Sequence, residues 1–399
     1  MTRVSMPLAG SLPTSPEHSG FALGRKGFRP FFLLSSAFAA TVVPLWMLAL
    51  LGAFSPGAYL DPIAWHAHEM VFGFSVAVIA GFLLTAVGNW TQRETLVGWP
   101  LMGLGGVWLL GRVGFLASDH LPRWAPAVLD LAFLPALGVV LARPLIATRN
   151  RRNFVMLAVL AALWLANLSI HLDALGEAPG WRRRGVLSAV DVVVLLIVIV
   201  AGRVVPMFTK NGTGVQTVHG SPRLDAVAAA STALLAVLMA ALPSSPVTRV
   251  VAGVAAVATA ARAVPWMTAK VLRVPLLWVL HIGYAWIPIG FALRAFGAPE
   301  ALATHALTIG AIGGVTLGMM ARVGLGHSGR PLQVRWPMVL SFALLALAAL
   351  VRVAGGLLFA SSYRATLFAA GTLWSVAFAI LLVVYAPILA TPRADGKPG

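Results

Sequence analysis

Residues 65–90 read WHAHEMVFGFSVAVIAGFLLTAVGNW. From Met70 to Val87 the run is apolar, close to the roughly 20 residues that a helix needs to cross a membrane. It opens, however, on His66, His68 and Glu69, three titratable side chains within four positions. Ionisable groups are costly inside a bilayer and tend to mark function. The stretch therefore points to a membrane fold and raises the question of what its polar end does.

The rest of the chain agrees with the membrane reading. Its 399 residues are 59% hydrophobic and 10% charged, whereas soluble domains carry about 25% charged residues. An excess of 29 Lys+Arg over 12 Asp+Glu gives a net charge of +17. Most of these charges flank apolar runs, where they orient helices, and no base-reading signature accompanies them. Nucleic acid is thus excluded as a partner, and lipid surrounds the chain. There is no cysteine, which removes disulfides, thiolate metal sites, iron–sulfur clusters and covalent c-type haem. Any metal must be held by the nine histidines, carboxylates or methionines.

Twelve apolar runs are long enough to span, near 31–52, 62–88, 98–118, 124–142, 153–171, 186–208, 224–242, 246–263, 274–296, 300–324, 335–358 and 364–389. The expected fold is an all-α, polytopic transmembrane helix bundle. Residues 1–30 form an N-terminal segment, 31–390 a single transmembrane domain and 391–399 a C-terminal tail. No short apolar stretch with a cleavage site precedes the first run, so no removable signal peptide is expected. Placing both termini in the cytoplasm puts most basic residues inside. Arg182, Arg183 and Arg184 go against that placement. No internal repeat stands out.

Depth sorts the histidines. Asp61-Pro62 reads as an N-cap followed by proline at the first helical position. His66 and His68 then lie roughly 6 and 9 Å inside the outer end of helix 2, at 1.5 Å per residue. Pro299 opens helix 10 in the same way and puts His305 about 9 Å from that surface. His281, following Pro275, lies about 9 Å from the inner surface, and His327 sits just past the inner end of helix 10. An outer trio and an inner pair result. His171 ends helix 5, and the DALGE after it reads as loop. His18, His120 and His219 fall in the tail or loops.

Within helix 2, His66 and Glu69 are three apart and share a face, while His68 points about 200° away from His66. A regular helix cannot close both imidazoles on one metal. Either the first turn is distorted or the two serve different partners. Glu69 suits two roles: accepting the ring N–H of a ligating histidine or carrying protons. The bland alternative for each histidine is a hydrogen bond to a neighbouring helix. Five of them at two depths in so apolar a chain favour function.

Other polar groups have quieter readings. Arg112 and Asp130 flank one short connection at equal depth and are expected to form a structural ion pair. Asp191 has no evident partner. Arg203, in GRVVPMFT, is either a site for an anionic group such as a haem propionate or a snorkelling anchor. Gly310, Gly314 and Gly318 make a small-residue strip for close helix packing. Met319-Met320 reads as filler before copper(I) ligation, and Pro288 as a kink near Tyr284.

Several of these segments together resemble the NnrS family. They are GFRPFF at 27–32, WHAHEMVFGF and AGFLLTAVGNWT in helix 2, GRVVPMFT at 202–209, PLLWVLHIGYAWIPIG at 275–290 and HALTIGAIGGVTLGMMARVGLGHSGR at 305–330. The resemblance implies a bacterial inner-membrane protein of about twelve helices that contains haem and copper and is linked to nitric oxide resistance and denitrification. It implies that His66, His68, His281, His305 and His327 include the haem and copper ligands, with Glu69 beside them. It leaves open which histidine serves which cofactor. Without cysteine the haem would not be attached covalently, and a b-type haem is the expectation. The adjacent His-His pair of the haem–copper oxidases is missing, so kinship with them is not implied.

The expected function is protection against nitrosative stress, by binding nitric oxide or by a nitric oxide reductase-like reaction. The reaction would draw electrons from a quinol or a separate donor. The competing reading is a transporter of copper or a small solute lined by the same histidines.

Overall fold

The computed structural model describes residues 22–358 and 360–397. Residues 1–21, with His18 and Arg3, lie outside the described residues, as do Phe359, Pro398 and Gly399. Among the described residues there are helices and no strands. Twelve helices are long and apolar enough to cross a membrane: α1 Phe28–Leu50, α2 Pro62–Thr91, α3 Gly98–Leu116, α4 Ala125–Ala147, α5 Arg151–Leu175 and α6 Trp181–Thr213. They continue with α7 Pro222–Ala241, α8 Pro246–Trp266, α9 Pro275–Ala295, α10 Glu300–His327, α11 Trp336–Leu358 and α12 Tyr363–Ala390. The chain is a multi-pass membrane protein.

Local chemistry starts these helices where the sequence leads one to expect. Asp61 caps α2, its carboxylate accepting from the Ile63 and Ala64 amides at 3.1 and 3.0 Å, with Pro62 at the first helical position. Ser245-Pro246 repeats the device at α8. Each side-chain acceptor satisfies amides that the first turn leaves unpaired. Left-handed Gly176 and Gly214 end α5 and α6, a conformation that costs glycine little.

Sequence neighbours pack side by side, and α1 closes the ring against α12. Three helices are set deeper than the rest. In α2, α10 and α6, 89%, 72% and 67% of the most apolar window is buried in protein, against 56% or less in the other nine. Both α2 and α10 pack on α6, so the histidine-bearing helices lie at the centre of the bundle.

An even number of crossings puts both described ends on one side, here the terminal face. Arg29 at the start of α1 donates there to the Leu389 and Thr391 carbonyls at 2.8 and 2.6 Å. On the opposite face, Arg182 pairs with Asp61 and Asp173, both at 2.9 Å, and Arg183 pairs with Glu300. Two of the three arginines that count against the expected orientation are thus held by local carboxylates.

The two central histidine helices share a feature that periodicity does not reveal. In each, a short α-helical start gives way to a π-helical segment, Glu69–Ser75 in α2 and Ala306–Gly313 in α10. His68 and His305 are the residues immediately before these segments. Such widened turns are rare and recur at functional sites. In α2, tertiary donors take up the displaced carbonyls. Trp108 Nε1 donates to Gly73 O at 3.0 Å and Arg112 Nη1 to Phe72 O at 3.1 Å.

The glycine strip of α10 packs as expected. Gly310 faces the Trp286 ring and Gly318 faces Val279 and Leu280. Gly314 meets Gly283 so closely that a Cβ on it would lie 2.9 Å from the Gly283 Cα. This contact fixes the register of α9 against α10.

Candidate functional site

At the opposite-face end of α2, His68 and His66 project into two different clusters, as their two-residue spacing requires.

The first cluster is a fully buried polar hub. His68 is 0% exposed and Glu69 1%. His68 Nδ1 lies 3.0 Å from Glu69 Oε1, and its Nε2 lies 2.9 Å from Asn167 Oδ1 and 3.2 Å from Asp130 Oδ2. Arg112 from α3 bridges the two carboxylates, its Nε 2.8 Å from Glu69 Oε2 and its Nη2 bonded to Asp130 Oδ1. Asn167 Nδ2 donates to Asp130 Oδ2 at 2.6 Å. From α5, His171 Nε2 reaches the same Oδ2 at 3.1 Å, and the Tyr59 hydroxyl sits 2.9 Å from His171 Nδ1.

These contacts fix proton positions. Asn167 must turn its amide nitrogen to the Asp130 carboxylate, so its oxygen faces His68 Nε2, which therefore carries a proton. His171 donates through Nε2 to Asp130, and its Nδ1 accepts from Tyr59. Asp130 Oδ2 thus accepts from Asn167 and His171 and shares the His68 Nε2 proton with Asn167 Oδ1, while Oδ1 accepts from Arg112. One proton lies between His68 Nδ1 and Glu69 Oε1. A continuous hydrogen-bonded chain runs from half-buried Tyr59 through His171, Asp130 and His68 to Glu69.

Three sequence expectations change here. His171 is a buried helical residue, 1% exposed, because α5 continues to Leu175. Glu69 turns to His68 and Arg112 instead of sharing a partner with His66, since the π segment starting at Glu69 alters the angular step. The Arg112–Asp130 pair is present as expected, but as part of a larger network. Asn167 and His171, four apart on one face of α5, carried the signal that would have found the hub.

The second cluster is poorer in partners. The His66 ring stacks on Trp46 of α1, centroids 3.9 Å apart and planes at 17°. Its Nδ1 is buried without a hydrogen-bond partner among the described residues. His66 lies within electrostatic reach of His305 and of Arg352 from α11, and Arg352 also acts on His305. His305 Nδ1 donates to Ala301 O at 2.5 Å, which leaves the Nε2 lone pair free. Arg352 is 3% exposed and donates through Nη2 to Tyr363 Oη at 2.8 Å, while its Nη1 has no partner among the described residues. Thr304 Oγ1 is orphaned as well. Buried polar atoms are seldom left unpaired, so their concentration here marks a place where a further group belongs.

The remaining candidates stand apart. Gly283 packs on Gly314, which puts His281 level with Thr316, roughly 15 Å along α10 from His305 at 1.5 Å per residue. His281 Nδ1 donates to Leu277 O at 3.0 Å. His327 is the last residue of α10, its ring 5.8 Å from that of Phe28, and Arg393 donates to its carbonyl at 3.1 Å. His281 and His327 share a half of the bundle but are separated by roughly another 15 Å of helix. Arg203 donates to Asn153 Oδ1 at 2.9 Å, the arrangement of an anchor. Asp191 does have a partner, Arg294, at 2.5 and 2.7 Å.

The order of these segments along the chain has a match among known families. The model of the NnrS protein family matches residues 22–393. The chain belongs to the NnrS family. No curated protein matches it. NnrS membership supports a nitric oxide-related membrane protein.

For an NnrS protein the question becomes which cluster suits a metal or cofactor. His68, Asp130 and His171 bring ligand atoms within 4.8 Å of one another and could bind a metal ion. As arranged, however, both Nε2 atoms carry protons and Arg112 already neutralises the carboxylate, so an ion would have to displace them. The His66–His305 cluster needs no such displacement. It offers an unpaired imidazole nitrogen on each of two central helices, and beside them a buried cation with a spare donor. Nδ1 bonded to a backbone carbonyl, as in His305, is the state that presents Nε2 to a metal.

Proposed function

We propose that this NnrS protein is a haem- and copper-binding protein of the bacterial inner membrane that lessens nitrosative stress by binding nitric oxide or reducing it. His66 and His305 are the histidines that hold a haem of b-type, and Arg352 is suited to one of its carboxylates. The observation that carries this is the unpaired buried Nδ1 of His66 within electrostatic reach of His305, whose Nε2 lone pair is left free by its Nδ1 bond to Ala301 O. Bound there, haem would supply iron to which nitric oxide binds once one of the two imidazoles lets go. Copper would draw on the other histidines, His68 and His327 among them, and metal analysis of single alanine variants separates these.

The chain's own residues then have defined tasks. Trp46 fixes the plane of the His66 ring by stacking. Ala301 O fixes the tautomer of His305. The chain of hydrogen bonds from Tyr59 to Glu69 gives protons a route from the opposite face, with Glu69 at its buried end. Glu69 is the proton carrier in this reading, and a quinol or separate donor protein supplies electrons. Both termini lie in the cytoplasm.

Purification followed by optical spectroscopy and metal analysis tests the proposal. One Soret band per chain that shifts when the reduced protein meets nitric oxide is the expected result, and release of nitrous oxide would establish turnover. Colourless protein without copper would refute it.

A further inference from the structure

We propose that a basic pocket on the opposite face, between α6, α8 and the turn joining α9 to α10, binds a phosphate-type oxyanion. The pocket has a volume of about 160 Å³ and includes Arg183, Ser244, Arg249, Arg294, Gly297 and Glu300 in its lining. The groups that would touch a ligand are accessible. Arg249 and Ser244 are exposed, and the Arg183 side chain is 53% exposed.

Three arginines here face two carboxylates. Arg183 is paired with Glu300, Nε to Oε1 at 3.0 Å, and Arg294 with Asp191, Nη1 to the two oxygens at 2.5 and 2.7 Å. Both carboxylates are thus taken, and Arg249 has no counter-charge among the described residues. It also stands in the first turn of α8, which holds no acidic residue. A helix start carries partial positive charge and disfavours a cation there. The guanidinium lies over Gly297, where a Cβ would sit 3.4 Å from Nη1. The carbonyls at that end of α9, those of Ala292, Leu293 and Arg294, already accept from amides of the cap. Beneath, the Arg294 side chain is only 8% exposed, and its Nε and Nη2 bond to nothing among the described residues. Those enclosed atoms add positive potential to the floor, while contact with a ligand falls to Arg249, Arg183 and Ser244.

An unopposed arginine on a helix start, with a second arginine and a hydroxyl beside it, selects an anion with several oxygens. Water would satisfy the donors and leave the charge unopposed, and an acyl chain would do neither. Two sources of such an anion reach the pocket. It lies where α6, α8 and α9 end, and below it Val250, Val254 and Val257 run down α8, 67%, 50% and 71% exposed. A phospholipid would set its phosphate in the pocket and lay an acyl chain along that stripe. A free phosphate would enter from water. The site is independent of haem and copper.

The experiment titrates the full chain, in neutral detergent and phosphate-free buffer, with dioctanoyl phosphatidylglycerol and separately with inorganic phosphate, by calorimetry. Saturable binding of at least one of them is the expected result. Binding of the lipid alone assigns the pocket to a head group. Binding of inorganic phosphate, alone or in competition with the lipid, assigns it to a free oxyanion. Arg249→Gln should weaken the binding about tenfold, the worth of one charge-assisted hydrogen bond, and leave the melting temperature of the ligand-free protein unchanged. Arg364 is also an exposed arginine in the first turn of a helix on this face, at the start of α12 and outside the pocket, so Arg364→Gln should bind as the parent does. No saturable binding, full affinity in Arg249→Gln, or equal losses in the two variants would overturn the site. Dioctanoylglycerol, which lacks the phosphate, binding as well as the phospholipid would overturn it too and make the pocket a seat for acyl chains.

Discussion

Asp130 shows why the two histidines of WHAHEM differ in kind. It accepts from Arg112, Asn167, His68 and His171 at once, so its charge is what allows the neighbouring cation to be buried. Asp130→Asn should destabilise the protein by about 3–5 kcal/mol, the usual cost of breaking a buried pair on one side, seen as a lowered melting temperature in detergent. Adding Arg112→Met to that variant should cost less than the sum of the two single changes, because both remove the same ion pair. His68→Ala belongs to the same class and should lower stability. His66→Ala removes a ring that stacks on Trp46 but has an unpaired nitrogen, so compared in the haem-free state it should melt near the parent temperature. The residue spacing made the divergence of His66 and His68 legible. The partner of Glu69 was not legible, because it depends on an angular step that only the π segment sets.

At the scale of elements, the caps and register contacts were readable and the widened turns were not. Asp61-Pro62 and the strip Gly310, Gly314 and Gly318 state local rules, and the structure follows them. The π segments depend on donors from another helix, Trp108 and Arg112, which no single-helix pattern contains. Deleting Met70 should let α2 relax to a regular helix with His66 and His68 near their present direction, because a π turn holds one residue more than an α turn. The protein should still insert, and the change should appear as lost Trp108 and Arg112 bonds to α2 carbonyls, read as a lowered melting temperature. Gly314→Leu tests the α9–α10 contact separately. Its side chain has no room beside Gly283, so a loss of about 1–3 kcal/mol from overpacking is expected in thermal unfolding.

Over the whole molecule, hydropathy and length sufficed to count twelve spans, because each helix must satisfy its backbone internally in lipid. They could not show that α2, α6 and α10 form the centre, since burial in protein and burial in lipid select the same residues. Sidedness is open to a direct test. The chain has no cysteine, and Ser244 and Gln216 are exposed in loops on the opposite and terminal faces. Gln216→Cys should be shielded from an impermeant thiol reagent in intact cells and Ser244→Cys labelled. The reverse pattern would place the termini outside. The central claim is that the unpaired nitrogens of His66 and His305 await one shared group, and its most direct test is haem content in purified single variants. His66→Ala and His305→Ala should each lose the Soret band while remaining folded, and His327→Ala should keep it. Full haem in both of the first two variants would contradict the account.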